Sequence, residues 1–319
     1  MSNVNTLNVG GTNFPIEDTE ARRRIAAVSE VVAGDPSALG TNVQAQFAAE
    51  INAAPFSGDV WAWVKARIVA GNFDGLNVGD FIPFSADGNS YKAEIAGINT
   101  YKRYGDVEPG LGNHIDFITR DCHPTTFVWN KANYNNGIVG QPYPWLSSDI
   151  YARLNSLAIN VPSAAVIDGA PVAVDYTTTG ILTTLPVSLQ NVIVTKRQYS
   201  PRRQSNGVLL VDDNSGGWID MGKLWLPTEI EVYGCNMWGS VNSPLQAYDK
   251  CGSQQYPIFS CKMRRVKGAG DGGARSTWWL STPRGGNSTG VAYVNSSGYA
   301  GISGAAASAV RVPLCFRIA

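Results

Sequence analysis

The residues best suited to acid–base or metal chemistry are few and far apart in this sequence. Its two histidines, His114 and His123, fit neither an HxxxH nor an HExxH zinc-binding pattern. No GxSxG nucleophile elbow, phosphate-binding loop or dinucleotide fingerprint lies between a predicted strand and a helix. We therefore expect a protein that is not an enzyme and that needs no cofactor or metal.

Two groups of carboxylates are the remaining candidates for chemistry. Asp212–Asp213 and Asp220 suggest a cation site, but their spacing is not that of an EF-hand, and a turn is the simpler interpretation. Glu229 and Glu231 would form a catalytic pair only with an acid–base partner, and none is near them in sequence. In the segment LPTEIEVYG they fit the start of a helix better, with Thr228 as its N-cap.

The cysteines are odd in number and show no CxxC spacing, which argues against a zinc site. We predict buried free thiols. The spacing leaves open a disulfide among Cys235, Cys251 and Cys261. The full set is Cys122, Cys235, Cys251, Cys261 and Cys315.

Charge and composition exclude several classes of partner. Only 16% of the 319 residues are charged, and 25 basic residues balance 25 acidic ones, so the chain lacks the basic surface that nucleic acid or an anionic membrane attracts. No apolar run is long enough for a membrane span, and the N-terminus lacks the pattern of a signal peptide. We expect synthesis in a bacterial cytoplasm, with no nucleic-acid partner and no membrane insertion.

The elements that must position any site are short. The 34 glycines and 17 prolines, with little long helical periodicity, favour an α+β fold. Apolar spacing and capping residues predict helices at 41–52, from Trp61 to about Gly71, at 143–157 (opened by Ser147 or Ser148) and at 228–233. Alternation predicts strands, with a hairpin turn at Asp87–Gly88. The predicted strands are 78–84, 90–99, 114–121, 191–200, one before Pro227, and three at 277–281, 290–295 and 310–318.

The sequence predicts that residues 1–35 form a separate small unit. An extended segment and a Gly-Gly turn precede a predicted helix from Thr19 to Val32, with Asp18 as the N-cap. Arg22–Arg24 form a basic cluster, which is either a solvated helix face or a docking face for a partner.

The C-terminal region places a segment of small residues between apolar anchors. Trp278 and Trp279 are adjacent, so on a strand they point to opposite faces and both can serve the core. The terminal strand Val310–Ile318 alternates and predicts one apolar face. Between them lies the display segment, residues 281–307, rich in Gly, Ser, Asn and Tyr. Antibody paratopes use the same residue types. A merely tolerant surface loop is the alternative.

Several pieces of the sequence, in order, resemble one family. WLPTEIEVYG, STWWLSTP, VNSSG and AVRVPLCFRI, with GDFIPF, HIDFITRD and WLSSDIYARLNS upstream, are similar to an uncharacterised C-type-lectin-like family. Its members occur in phage virion and gut-bacterial proteins, and it overlaps the variable proteins of diversity-generating retroelements. The resemblance covers Val78–Ala319. Ser281 stands where the family usually has Arg, and VPL replaces its RPA-like piece. The N-terminal VNTLNVGGTNFPIEDTEARRRI resembles the attachment segment of phage fibre proteins.

The resemblance implies an α+β, C-type-lectin-like domain with the topology of formylglycine-generating enzymes. It implies three regions: 1–35 for virion attachment, 36–77 as a helical linker or oligomerisation region, and 78–319 for ligand binding. The calcium motifs of sugar-binding lectins are missing. We expect a fibre, receptor-binding or decoration protein located in the virion, and a homo-oligomer, with a trimer favoured. Its partners would be a host-cell or mucosal protein or glycan, and other virion proteins.

Two other functions remain open. One is a purely structural role in a capsid or tail, and the other is an oxidase of the formylglycine-generating type. The oxidase would need a copper-binding pair of cysteines, and Cys315 has no evident partner in the sequence. The predicted virion-attachment residues are Phe14, Ile16, Asp18, Arg22 and Arg23. The predicted ligand-binding residues are Ser281, Thr282, Arg284, Asn287, Ser288, Tyr293, Asn295, Ser297, Tyr299 and Ser303.

Overall fold

The computed structural model describes residues 6–9, 12–15, 40–163, 171–205, 208–209, 216–239, 254–303 and 306–319, with backbone only for 6–9, 12–15, 204–205, 208–209 and 303. Within these ranges the fold is α+β, and every pairing between strands is antiparallel. The strands are β1 Thr6–Val9, β2 Thr12–Pro15, β3 Phe81–Ala86, β4 Asn89–Ile98, β5 Ile115–Thr119, β6 Ala158–Pro162, β7 Pro171–Asp175, β8 Ile193–Val194, β9 Arg197–Pro201, β10 Gln204–Ser205, β11 Val208–Leu209, β12 Gly216–Asp220, β13 Lys267–Gly268, β14 Arg275–Ser276, β15 Trp278–Pro283, β16 Val291–Val294, β17 Ala300–Ser303 and β18 Cys315–Ile318.

The described helices are short, as the glycine and proline content predicts. They are α1 Val43–Gln46, α2 Ala48–Asn52, α3 Val60–Val69, α4 Asp149–Asn155, α5 Val187–Val192 and α6 Glu229–Tyr233. The described residues also include turns of 3₁₀-helix at Leu182–Thr184, Pro257–Ser260 and Lys262–Arg265.

A five-stranded sheet with the order β3-β4-β5-β18-β8 forms the centre of the fold. The last strand of the chain pairs with β5 on one side and β8 on the other. Helix α3 packs on this sheet through Trp61, whose ring meets Phe117 and Phe316 edge-on at centroid distances of 5.9 and 5.7 Å. Such edge-to-face contacts add to the free energy gained by burying these rings.

The helices predicted as a linker share this core. Val43, Trp61 and Trp63 are buried in the same cluster as the sheet residues, and Asn42 forms a bridge to Phe81. Residues 43–69 therefore pack as part of the same body as the strands that follow. The division at residue 78 itself stays a prediction from the family resemblance.

A three-stranded sheet, β15-β16-β17, carries the display segment. Trp278 and Trp279, both 0% exposed, pair with Val294 and Tyr293 on β16. Their indole N–H groups donate in different directions, Trp278 to the Arg265 carbonyl and Trp279 to the Phe127 carbonyl, each at 2.9 Å. The prediction that both tryptophans serve the core is confirmed.

Most predicted elements lie where the sequence placed them. The helices near 41–52, from Trp61 and at 228–233 are present, and Ser148 caps α4 by accepting from the Tyr151 N–H. The hairpin β3–β4 turns at Asp87–Gly88. Thr228 and Glu231 form a complete capping box, which confirms the predicted helix start.

The strand predicted at 191–200 is wrong in its first part. Residues up to Val192 belong to helix α5, which begins after Pro186, and two short strands follow at Ile193–Val194 and Arg197–Pro201. Leu189 of this helix is fully buried, and the helix packs against α3. Tertiary packing has overridden the strand preference of the β-branched residues.

The strand predicted before Pro227 is also wrong. Residues 223–226 form one isolated bridge, from Trp225 to Cys315. The Asn155 side chain takes the place of a neighbouring strand: its Oδ1 accepts from the Leu224 N–H at 3.0 Å, and its Nδ2 donates to the Leu224 carbonyl at 2.7 Å. Backbone groups satisfied by an amide side chain do not need a sheet.

The terminal strand is shorter than predicted and is buried on both faces. Only Cys315–Ile318 forms a strand, and Arg317, predicted on the polar face, is 1% exposed. Arg317 is buried because β18 lies between β5 and β8 in the sheet. Asp116 on β5 accepts hydrogen bonds from the Arg317 Nε and Nη2 at 2.7 and 2.8 Å. Alternation identifies two faces of a strand but does not show that one of them meets water.

The cysteine prediction holds in part. Cys122 and Cys315 are buried free thiols, whereas Cys235 and Cys261 are free and exposed. Cys251 lies outside the described residues, as do Asp212 and Asp213.

The described residues cover only part of the N-terminal region for which we made predictions. The described backbone pairs β1 with β2 in a hairpin that contains Phe14. The predicted helix 19–32 and the attachment residues Ile16, Asp18, Arg22 and Arg23 lie outside the described residues.

Candidate ligand-binding surface

The first turn of the display segment, residues 284–290, is tied to the body of the protein. The buried Arg203 donates to the carbonyl of Asn287 at 2.9 Å and to that of Arg284. The buried Asn135 also donates from Nδ2 to the Asn287 carbonyl at 2.9 Å, and from its backbone N–H to the Ser288 carbonyl at 2.7 Å. The backbone of this turn is therefore fixed from beneath.

The side chain of Asn287 shapes the same turn. Its Oδ1 accepts from the backbone N–H groups of Thr289 and Gly290 at 2.8 and 2.7 Å. This is the local pattern by which asparagine replaces backbone pairing in turns. Asn287 was predicted to bind ligand, and the structure uses its side-chain oxygen to hold the loop. Arg284 and Ser288 are half-buried beside it.

The second turn, residues 295–299, is the open part of the display. Asn295 Oδ1 accepts from the N–H groups of Ser297 and Tyr299 at 2.9 and 3.0 Å, so this asparagine also positions a loop. Ser296 and Ser297 are exposed at its tip. Their hydroxyls have the access that a ligand needs.

Two tyrosines flank the open turn. Tyr299 is 57% exposed, and the Lys262 Nζ lies 3.5 Å from its ring centroid. The hydrogen bond from Lys262 and its positive charge lower the pKa of the Tyr299 hydroxyl. Tyr293 is half-buried and meets Trp279 edge-on, with 6.3 Å between the ring centroids. The two rings offer aromatic area beside the open turn, and their contact with a ligand stays a prediction.

Two predicted ligand-binding residues serve the fold instead. Ser281 is 5% exposed, so its side chain does not reach a ligand at the surface. Thr282 Oγ1 accepts from the backbone N–H of Glu229 at 3.0 Å, which ties β15 to the start of α6. Both residues have these structural roles because they lie on β15, next to the start of α6. Ser303 ends β17, and its side chain is outside the described residues.

A polar groove lies beside Tyr293 and the open turn. Its volume is about 480 Å³, and Arg275 and Arg311 line it together with Tyr293, Thr126 and Ser276. Sequence reasoning placed none of these residues except Tyr293 in a site, because they come from separate parts of the chain. One signal was present: alternation in the terminal segment put Arg311 on a polar face.

A second group of charged residues is completely enclosed. Lys196 donates to Glu231, which also accepts from the Tyr101 hydroxyl at 2.7 Å, and all three side chains are buried. Burial lowers the pKa of Lys196, and the nearby carboxylate of Glu231 opposes that shift. For Asp116, burial acts to raise the pKa, but the Arg317 guanidinium outweighs it and lowers the pKa. Because these side chains are buried within the part of the chain that the structure describes, we assign the cluster to the core.

The remaining glutamate at the start of α6 is also structural. Glu229 is 0% exposed and accepts from the N–H groups of Met237, Trp238 and Gly239, the shortest bond being 2.8 Å. Burial raises the pKa of Glu229, and these hydrogen bonds act against that shift. The carboxylate organises the loop after α6.

The buried cysteines are in their protonated form at neutral pH. Burial raises the pKa of the Cys122 thiol to about 12 and lifts that of Cys315 well above its ordinary value. Thiolates, not thiols, attack substrates and bind metals. Among the described residues, no group of three or more His, Cys, Asp and Glu side chains is arranged to hold a metal ion.

Within the described ranges, none of the helices combines the length and apolar character that a bilayer crossing requires. Comparisons of the chain with protein-family models, with curated proteins and with solved structures give no match.

Proposed function

We propose that this chain is a phage or prophage virion protein, either a fibre, a receptor-binding or a decoration component. Its region 78–319 would present a lectin-like surface to a host-cell or mucosal ligand. One observation carries the proposal: the two buried tryptophans and two turn-forming asparagines fix the display segment, while Ser296, Ser297 and Tyr299 remain exposed. Rigid support beneath accessible Tyr and Ser side chains lowers the entropic cost of binding.

The topology supports the lectin-like part of the proposal. Strand β18, at the end of the chain, lies next to β5, although most of region 78–319 separates them in sequence. The chain between β5 and β18 therefore begins and ends at adjacent strands of the central sheet. The sheet β15-β16-β17, which carries the display segment, belongs to this intervening part. A domain closed in this way can present a variable loop without altering its central sheet.

The attachment role belongs to residues 1–35. The hairpin β1–β2 contains Phe14, and the resemblance to fibre attachment segments motivates virion partners for this part. A homo-oligomer, with a trimer favoured, would multiply a weak individual contact because linked sites bind with an increased effective concentration. Balanced charge gives no reason to expect nucleic acid as a partner.

Imaging the virus particle that carries this chain by cryo-electron microscopy tests the proposal. We expect residues 295–299 to face solvent at a distal surface and residues 1–35 to contact other virion proteins. If residues 295–299, Tyr293 and Arg284 are buried against capsid or tail subunits, the chain is an assembly protein and the receptor function is wrong.

Diversification of the display by a retroelement is a separate part of the proposal. Substitutions among isolates should concentrate between Ser281 and Ala307. They should favour the exposed positions 296, 297 and 299 and spare the turn-forming Asn287 and Asn295. Sequencing the locus in many isolates measures this, and an even spread of substitutions along the chain would exclude it.

A further inference from the structure

The groove beside the open turn has an unbalanced charge. Arg275 and Arg311 line it, and no acidic side chain does among the described residues. Neither arginine forms an ion pair within the described ranges. Arg275 also lines a second cleft, but three carboxylates are among the residues that line that cleft. There Glu94 pairs with both Arg264 and Arg120, at 2.6 and 2.7 Å. Within the described ranges, the first groove has two arginines and no carboxylate in its lining, so its positive charge is not compensated there.

The guanidinium of Arg311 is positioned but not saturated. Its Nη1 donates to Ser276 Oγ at 3.1 Å, which fixes the side chain, while its Nε is buried and has no hydrogen-bond partner among the described residues. A buried donor without a partner is costly, and most such groups are satisfied by protein, water or ligand. The backbone of Arg311 is held between Trp279 and Thr277 by hydrogen bonds of 2.9 and 3.3 Å.

The rest of the lining is rich in hydroxyl groups. Thr126, Ser276, Thr277, Ser296 and the Tyr293 phenol surround the two arginines, with Ala309 and Val310 as the apolar contribution. A groove of about 480 Å³ falls in the range of small-molecule sites, about 300–1,000 Å³. Hydroxyls and an aromatic ring match a ligand that itself carries many hydroxyls, and they give an apolar peptide side chain little to contact.

From this chemistry we propose that the groove binds a saccharide unit bearing a carboxylate, such as a sialic acid or a hexuronic acid. Arg275 and Arg311 hold the carboxylate, because a guanidinium matches its two oxygens. The hydroxyl residues accept from and donate to the sugar hydroxyls, and Tyr293 supplies the flat contact. The assignment rests on the proposed receptor function and names the class of ligand for it.

Binding of the full-length chain to two acidic probes, 3′-sialyllactose and trigalacturonic acid, tests the assignment by calorimetry or saturation-transfer NMR. Lactose is the neutral control. We expect at least one acidic probe to bind, lactose not to bind, and affinity to fall as salt screens the charge. Arg311→Gln and Arg275→Gln should each weaken binding by about tenfold or more, since hydrogen bonds to charged groups are the strong ones.

Two further variants keep the result interpretable. Arg103→Gln removes an exposed arginine that does not line the groove, and it should leave affinity unchanged. Arg311→Lys retains the positive charge but lacks the paired N–H donors of the guanidinium. Its affinity should therefore lie below that of the unaltered chain and above that of Arg311→Gln. It also supplies a test if Arg311→Gln folds poorly. Equal affinity for Arg311→Gln and the unaltered chain would overturn the proposal.

The remaining outcomes separate this proposal from the function on which it rests. If neither acidic probe binds while the labelled chain still decorates host cells, the groove assignment is wrong and the receptor function stands. If hexaglutamate or inorganic phosphate binds as tightly as the acidic sugars, the groove recognises anions and the saccharide assignment is wrong. If the chain binds neither the probes nor host cells, both proposals fail.

Discussion

Replacing Glu231 with Gln should strongly destabilise the protein although the two side chains have nearly the same volume. Glu231 is 0% exposed and accepts from Lys196, which is 1% exposed, and from the Tyr101 hydroxyl at 2.7 Å. The amide keeps the packing but leaves the ammonium buried without its counter-charge. Removing one partner of a buried ion pair costs about 3–5 kcal/mol of unfolding free energy.

Urea unfolding followed by tryptophan fluorescence measures this cost. The Lys196 Nζ lies 3.8 Å from the centroid of the Trp225 ring, so fluorescence also reports on the immediate surroundings of the pair. Calorimetry should be run beside it to check that unfolding is two-state, because a chain of this length need not unfold in one step.

The double variant Glu231→Gln/Lys196→Met separates charge from shape. Methionine fills most of the space of the lysine stem without its charge, so we expect it to recover at least about 2 kcal/mol relative to Glu231→Gln alone. If the double variant is no more stable than the single one, the uncompensated ammonium is not the cause of the loss, and the reasoning fails.

The pH dependence of Glu231→Gln gives an independent check. Burial lowers the pKa of Lys196, and without the opposing carboxylate the pKa falls further. Between that lowered pKa and the value of an unfolded lysine, about 10.4, the unfolded chain binds more protons than the folded one. Unfolding free energy therefore rises with pH in this window, and the deficit of the variant should shrink as the pH rises through the lowered pKa towards about 10.4. A constant deficit would contradict this account.

Three further outcomes follow from the structure. Burial lowers the pKa of His114 and His123, so NMR titration should place both pKa values below 6.5. The unfolded chain then binds more protons than the folded one, and the unfolding free energy should fall as the pH drops from 6.5 through the lowered pKa values. A pKa at or above 6.5 would contradict this. Asn295→Ala removes two turn hydrogen bonds and should reduce stability by about 1 kcal/mol or less in urea unfolding, while weakening ligand binding more than Ser297→Ala does. Gly301→Ala would place a Cβ 2.5 Å from the Tyr293 ring, so the tyrosine should move. The variant should therefore bind the acidic probes more weakly. An unchanged affinity would show that binding does not depend on the position of this ring.

Much of the local structure was predictable because its causes are local. Thr228 and Glu231 are three residues apart, and their capping box uses only groups from the first turn of one helix. The helical spacing from Trp61 and the Asp87–Gly88 turn also depend on neighbouring residues, and both elements are present. The adjacent tryptophans indicated two buried faces for the same reason.

The candidate site was predictable only in outline. Composition identified the display segment, and Tyr299 and Ser297 are exposed as expected. It did not show that Asn287 and Asn295 would turn their side chains back to the backbone, because the choice between local and ligand hydrogen bonds depends on the loop geometry.

The sequence by itself determined the α+β class, most helix starts and the position of the display segment, since periodicity, caps and turn residues act over a few positions. Only the tertiary structure decided which polar residues meet water. It buried Arg317 against Asp116 and brought Arg275 and Arg311 to one groove. Those pairings join residues far apart in the chain, and the burial and charge that result exist only once the sheets have packed.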